Sequence, residues 1–272
     1  MDVCAKLRGI FHERRVGHGG TLDPMATGVL PVFVGQATKA VEFAENGQKE
    51  YVAGLRLGLV TNTQDTTGET LEERPVQVGR EQLEAALERF RGDILQVPPM
   101  YSAVKINGKK LYQLARRGQE VERPARPVTI HRLELLDQQG EDLYTLRVRC
   151  SKGTYIRTLC HDIGQVLGCG GCMDSLRRTM AAGFTLAEAV TVAEVQERGE
   201  ALLLPTDSLF QAYPAVTLRS PGQERRVRSG APVTDPSVPD GTCRIYGRDG
   251  GFLCLSQARG GTLTSIKNFF GV

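Results

Sequence analysis

Apolar residues recur along this chain with two periods, and the switches between them mark out its elements. Val3, Leu7, Ile10 and Phe11 fall on one helical face, which predicts an amphipathic helix over 2–14. LPVFVG at 30–35 is a short apolar run and reads as a buried strand, and residues 36–45 follow as a helix. EYVAGLRLG at 50–58 alternates faces as a strand does, whereas TNTQDTTGET at 61–70 has no apolar position and reads as a polar loop. Arg80 to Phe90 predicts a helix with Leu83 and Leu87 on its buried side. Ser102 to Ile106, Asn107-Gly108 and Lys109-Lys110 predict a hairpin on a tight turn, and Leu111 to Arg117 a short helix. VTIHRLELLD (128–137) and LYTLRVRC (143–150) are strands. Tyr155 to Leu167 is a helix ended by Gly168, Met173 to Phe184 a further strand, and Val192 to Arg198 a last short helix. Strands mixed with helices, without regular βαβ alternation, predict an α+β fold: a mixed, mostly antiparallel sheet flanked by helices.

After Thr206-Asp207 the texture changes. Residues 213–272 are short strand-like runs (YPAVTL, GTCRIYG, GGFLCLSQARGG, TLTSIKNFF) split by Pro, Gly and Asp, which reads as a small β-rich domain. The chain therefore divides into 1–209 and 210–272.

Length, 272 residues, suits one large domain or one medium and one small. No apolar run approaches the ~18 residues that span a bilayer, and the N-terminus lacks the apolar core of a secretory signal. Seven irregularly spaced cysteines argue against a disulfide framework and for the reducing cytoplasm. Net charge is only +3, but its distribution is uneven. Residues 61–100 hold eight acids and four bases; residues 105–132 hold eight bases (Lys105, Lys109, Lys110, Arg116, Arg117, Arg123, Arg126, Arg132) against Glu120 and Glu122. Such a stripe can supply a phosphate footprint while the whole protein stays near neutral.

The richest stretch is GHGGTLDPMATGVLPVFVGQATK at 17–39. Glycines 17, 19, 20 and 28 surround one carboxylate, Asp23, and Pro24 behind it fixes its own φ and pushes Asp23 out of the helical region. An Asp-Pro pair alone is an ordinary turn initiator. Here, however, Gly17, His18, Gly20, Leu22, Asp23, Pro24, Ala26, Gly28 and Leu30 fit, in register, a pattern of fourteen positions. The run resembles the catalytic-aspartate motif of TruB-family pseudouridine synthases, which isomerise uridine 55 in the TΨC loop of tRNA.

That reaction breaks the base–ribose nitrogen bond and rejoins the ribose through carbon 5 of the uracil. It needs a nucleophile, a pocket that holds the detached base, and a group that takes the carbon 5 proton, but no oxidant, metal or other cofactor. A carboxylate is a competent covalent nucleophile, and the resemblance assigns that role to Asp23. Burial alone raises an acid's pKa, whereas a cation within ~4–6 Å lowers it by about 1–3 units, so the site should contain an arginine. SKGTYIRT at 151–158 resembles the family's Lys-Gly-Thr-Tyr-Ile-Arg motif, whose arginine pairs with the aspartate; here it is Arg157. Its planar fork suits a carboxylate. Tyr51, followed by Leu57-Gly58 at the family's spacing, matches the active-site tyrosine, which stacks on the extruded uracil and takes part in proton handling. For Tyr155 the resemblance implies a place in the pocket lining. Base flipping costs about a few kcal/mol, and stacking on rings returns about 1–3 kcal/mol per base. The family histidine that fills the vacated space corresponds to His18, and Lys39 matches a position with a phosphate or positioning contact.

QVPPMYSAVKINGKKLYQLAR (96–116) also resembles the family, with Met100, Tyr101, Ser102, Ala103 and Lys105 in its Met-Tyr-Ser-Ala-x-Lys pattern. The basic stripe corresponds to the family's RNA-gripping segment, about 97–126, and Lys105, Lys109, Lys110, Arg116 and Arg117 are its candidate RNA contacts. The resemblance covers residues 3 to about 209 well and the tail loosely. It implies that 1–209 is the catalytic domain and 210–272 a compact RNA-binding domain of the PUA type. Family members usually open with a strand and a Lys-Pro-x-Gly-x-Thr-Ser segment. This chain starts at Met1-Asp2-Val3, where that segment would be ending, so the strand is expected to be missing.

Cys169-Gly-Gly-Cys172 looks like half a zinc site, but no second pair answers it, and His12, His131 and His161 are dispersed and carry no ligand spacing. The expectation is a cofactor-free, monomeric cytoplasmic enzyme acting on the T-arm stem-loop of tRNA without an obligate protein partner. The rivals are a catalytically impaired relative that only binds or helps fold tRNA, and an RNA-guided synthase within a larger complex.

Overall fold

The computed structural model describes residues 2–270. They form two units: one comprises Leu22–Leu30 and Asn46–Ala189, the other the remaining described residues.

The first unit is built on a seven-stranded sheet. Its strands run in the order Phe184–Thr185, Gly171–Ala181, Lys49–Leu57, Leu143–Cys150, Arg126–Gln139 and Gly92–Gln96, all neighbours antiparallel; the two-residue strand Thr27–Gly28 pairs in parallel with Gly171–Ala181. The sheet is thus mixed and mostly antiparallel. Alternation in Lys49–Leu57 sends Tyr51, Ala53, Leu55 and Leu57 to the core face. They meet Leu83 and Leu87 of the helix Arg80–Glu88, and Ile156, Leu159, Cys160 and Ile163 of the helix Ile156–Val166, whose spacing is one helical face. That second helix lies close on the strand Gly171–Ala181, because Gly164 has no Cβ: one added there would stand 2.2 Å from the Gly171 nitrogen.

The second unit has two parts. The helix Val3–Phe11 packs Cys4 and Leu7 against Val16, Val32 and Val34 of a small antiparallel pair, Val16–His18 with Val32–Val34. Asp2 caps its start by accepting from the Ala5 N–H, and left-handed His12 ends it, short of the 2–14 expected. The tail forms a five-stranded sheet in the order 215–217, 241–246, 252–259, 262–268, 233–234, with its own core of Leu218, Val227, Cys243, Ile245, Cys254 and Leu263. This is the small β-rich domain expected from its punctuation. Phe43, Phe210, Phe252 and Phe269 pack ring on ring and join the segment 31–45 to the tail.

Several elements differ from the sequence-based expectation. Residues 36–45 begin as a 3-10 turn, Gly35–Ala40, before the helix Val41–Asn46. The strand expected over 173–184 ends at Ala181: Ala182 and Gly183 both take positive φ, and Phe184–Thr185 folds back as a hairpin. The polar loop is flanked by a hairpin of Leu59–Thr61 with Thr70–Glu73. The strand Gly92–Gln96 and the helix Pro221–Arg228, started by Ser220 and Pro221, were not expected. No helix among the described residues is long and apolar enough to cross a membrane.

Candidate active site

The nine residues 22–30 belong to the first unit, although the chain on both sides of them belongs to the second. Asp23 opens a turn in which its carbonyl accepts from the Ala26 N–H at 2.9 Å, as an Asp-Pro start favours. The loop is then stitched to the strand Gly171–Ala181. Thr27 and Gly28 pair with Arg177 and Arg178, and the Val29 N–H donates to the Arg178 carbonyl at 2.8 Å. Gly28 is obligatory here: its φ is +102°, and a Cβ would stand 2.1 Å from the Arg178 carbonyl oxygen.

This stitching presents Asp23 to Arg157, which enters from the first turn of the helix Ile156–Val166. Arg157 Nε donates to Asp23 Oδ2 and Nη2 to Asp23 Oδ1, each at 3.0 Å, a two-pronged grip. The remaining donors are also engaged. Nη1 donates to the Thr63 carbonyl at 3.1 Å and Nη2 to the Tyr101 carbonyl at 2.9 Å, while Asp65 Oδ2 stands 3.7 Å from Nη1. The Arg157 side chain is only 7% exposed and that of Asp23 31%. The guanidinium is therefore a rear anchor, and the carboxylate keeps an open side.

Asp65 is the residue that sequence reasoning passed over, inside what reads as a polar loop. It is buried, and its Oδ1 accepts from Thr63 Oγ1, Thr67 Oγ1 and the Thr67 N–H at 2.6–3.0 Å. Thr158 beside Arg157 donates to Gln64 Oε1 at 2.7 Å, and Gln64 itself takes φ +63°. The available signal was an aspartate among five threonines and a glycine, the residue set that forms side-chain-to-backbone turns. Tyr101 contributes through its main chain, which no side-chain pattern announces.

Tyr51 lies on the core face of the strand Lys49–Leu57, opposite Val148 on one side and Arg178 on the other. Burial pushes its hydroxyl up to about 12; Cys150 and the Asp23 carboxylate push the same way, whereas the Arg178 charge and hydrogen bond oppose them. The hydroxyl is thus protonated at neutral pH. Arg178 is fully buried, and its Nε donates to the Val29 carbonyl at 2.7 Å. Tyr155 immediately precedes the helix of Arg157. Its N–H and carbonyl are both held by the buried amide of Gln96, at 2.8 and 3.1 Å. Asp23, Arg157, Tyr51 and Tyr155 thus belong to one unit.

The basic candidates lie in the same unit, on short elements. Lys105–Ile106 pairs with Lys109–Lys110, and the helix Leu111–Ala115 follows, anchored by buried Leu111 and Leu114. Lys105, Lys109, Arg116 and Arg117 are exposed, and Lys110 is half-buried. None of the five has a carboxylate partner among the described residues. Lys110 and Arg116 flank the Tyr112 ring at 5.6 and 5.5 Å, and Lys109, Arg116 and Arg117 line a groove of about 450 Å³ with it. His18 and Lys39 lie in the other unit. His18 ends the strand Val16–His18, and its buried Nδ1 has no hydrogen-bond partner among the described residues; Lys39 is half-buried in the turn Gly35–Ala40. All seven cysteines are buried and unpaired, and no cluster of potential metal ligands occurs among the described residues.

Two family models match the chain: the TruB family pseudouridylate synthase N-terminal domain over residues 8–156 and the tRNA pseudouridylate synthase B C-terminal domain over 157–211. Among similar proteins, tRNA pseudouridine synthase B of Azoarcus sp. (strain BH72) is 45% identical over 260 residues, covering 94% of this chain and 86% of its own. The protein of the same name from Pseudomonas aeruginosa (strain UCBPP-PA14) is 45% identical over 265 residues, 94% and 86% of the two chains. The one from Chromobacterium violaceum is 51% identical over 221 residues, 80% and 72%. A solved structure of a Cbf5-Nop10-Gar1 complex superimposes with a TM-score of 0.73 at 26% identity, covering 99% of this chain and 80% of that one.

Proposed function

The chain belongs to the TruB family of pseudouridylate synthases, and we propose that it isomerises uridine 55 in the TΨC loop of tRNA with Asp23 as covalent nucleophile. The enzyme is an isomerase: the bond from ribose carbon 1′ to N1 breaks, a bond to carbon 5 forms, the carbon 5 proton leaves and N1 gains one, with no net redox change. The observation that carries the assignment of Asp23 is the two-pronged grip of Arg157. A guanidinium that spends two N–H groups on one carboxylate balances its charge and fixes its direction before the reaction begins. The side chain's open face remains for the base.

Tyr51, neutral and buried, supplies the ring against which the extruded uracil stacks, and its hydroxyl handles a proton as a donor or through water. Tyr155 lines the same pocket. Lys105, Lys109, Lys110, Arg116 and Arg117 grip the phosphates of the T-arm stem-loop, and Tyr112 between them offers a stacking face. His18 fills the space left by the flipped nucleotide, and Lys39 contacts the backbone. In functional terms residues 1–209 form the catalytic domain and 210–272 a PUA-like RNA-binding domain. The enzyme works as a monomer in the cytoplasm, without cofactor.

The test is proton release from uridine carbon 5 of a bare T-arm stem-loop. The unmodified chain should release the proton, and Asp23→Asn should abolish release while leaving tRNA affinity within about threefold, since the nucleophile is not a binding residue. Tight binding without release by the unmodified chain would make it a binding protein. Release only after accessory proteins are added would place it in a guided complex.

A further inference from the structure

We propose that Arg178 is a positioning residue of this site, clamping the loop that carries Asp23 to the hydroxyl of Tyr51 so that nucleophile and ring move as one piece. The inference rests on the reading of Asp23 and Tyr51 given above. Arg178 holds the loop twice: its carbonyl accepts from the Val29 N–H at 2.8 Å, and its Nε returns a bond to the Val29 carbonyl at 2.7 Å. It also stands directly opposite Tyr51 in the antiparallel register of Gly171–Ala181 with Lys49–Leu57, and its guanidinium donates to the Tyr51 hydroxyl.

A guanidinium with no exposed surface is costly to keep, and a purely structural position of that size is filled more cheaply by an apolar side chain. What the guanidinium adds is a rigid planar fork with donors pointing two ways. One way is the main chain six residues after Asp23; the other is the only polar atom of the Tyr51 side chain. An oxygen that accepts from a fixed donor has its own hydrogen confined to the remaining directions, so the clamp orients the hydroxyl as well as the ring. Misplacement of reacting groups by about 1 Å costs roughly a hundredfold in rate, which sets the scale of what a loosened clamp should do.

The experiment is a double-mutant cycle. Arg178→Met and Arg178→Lys are each made in the unmodified chain and in Tyr51→Phe, and single-turnover proton release, tRNA affinity and thermal unfolding are measured. Arg178→Met should slow release about a hundredfold with tRNA affinity changed by less than about threefold, and in the Tyr51→Phe background it should cost less than about tenfold more. Arg178→Lys, which keeps the charge but not the fork, should recover part of the rate; it carries the cycle where the Met variant fails to fold. Equal losses in both backgrounds, or a loss confined to tRNA affinity, would overturn the proposal. The ring-carbon NMR resonance of labelled Tyr51 gives a readout independent of turnover. It should shift in Arg178→Lys, and an unchanged resonance also overturns the clamp. A shifted resonance in a chain that releases no proton would uphold the clamp and sink the proposed activity instead.

Discussion

The Asp23 loop and the basic segment from Lys105 to Arg117 belong to one unit and are built on opposite terms. Around Asp23 the charges are buried and their partners named: Arg157 is spent on Asp23, Thr63 and Tyr101, with Asp65 behind it. In the basic segment, five cations on two-residue strands and a five-residue helix carry no carboxylate partner among the described residues. Chemistry at one carbon atom demands a carboxylate whose direction is set before the substrate arrives. A folded RNA backbone demands charge density, and bound counterions are released to solvent when it docks. Under the proposed function, satisfied hydrogen bonds go with the site where a bond is made, and cations without carboxylate partners with the surface that holds a polyanion.

The sharpest way to break this contrast is to unpin the carboxylate. Arg157→Lys keeps a charge but replaces the fork with a point donor, and should lower single-turnover release about 10²–10³-fold with tRNA affinity nearly unchanged. The converse variant, Ala at Lys105, Lys109, Lys110, Arg116 and Arg117 together, should weaken tRNA binding about a hundredfold at moderate salt. Its slope of log affinity against log salt should be shallower by about 0.7–0.9 for each phosphate no longer neutralised, with the rate at saturating tRNA retained. If the rate falls instead and affinity holds, the division of labour is wrong.

A third variant addresses the ring. The folded chain holds the Tyr51 proton up to about pH 12, above the ordinary value of 10.0, so the native state binds it more tightly than the unfolded chain. The stability tied to that hydroxyl is intact below pH 10 and drains away as pH rises towards 12. Tyr51→Phe should escape a loss of about 2–3 kcal/mol over that window, read by denaturant titration at fixed pH. Smallest is Gln96→Leu, which unties both main-chain groups of Tyr155 and should cost about 1–3 kcal/mol of stability and roughly tenfold in rate. A loss of stability without a loss of rate would remove Tyr155 from the pocket.

Much of this was legible in the chain. The periodicities place Tyr51 on a strand and Arg157 near the start of a helix, and the demand that a carboxylate shielded from water have a cation leads from Asp23 to an arginine. What escaped has a common physical cause. Asp65 and Gln96 act through hydrogen bonds and charge on groups far along the chain, and neither changes the apolar period that reveals an element. The strand GDILQ shows only one apolar residue towards the core, Ile94, with Leu95 on the solvent side. Gly28 stands out in sequence only as one glycine of a motif, whereas in the fold it is required because the Arg178 main chain approaches its backbone. The two-unit division is discontinuous along the chain, with residues 22–30 separated in sequence from the rest of their unit, and no local change of texture announces that.

The stitching of the Asp23 loop has a consequence for biosynthesis. Asp23 and Arg157 are 134 positions apart, and Arg178 and Val29 are 149. During translation the loop emerges early and finds neither its counter-ion nor the strand that pins it. At about 5–20 residues per second, those partners follow roughly 7–30 seconds later. A nascent chain halted at residue 150 already contains the acidic side chain and has nothing to aim it. Competence switches on late in synthesis, when the helix and strand that follow residue 155 close over a segment made long before.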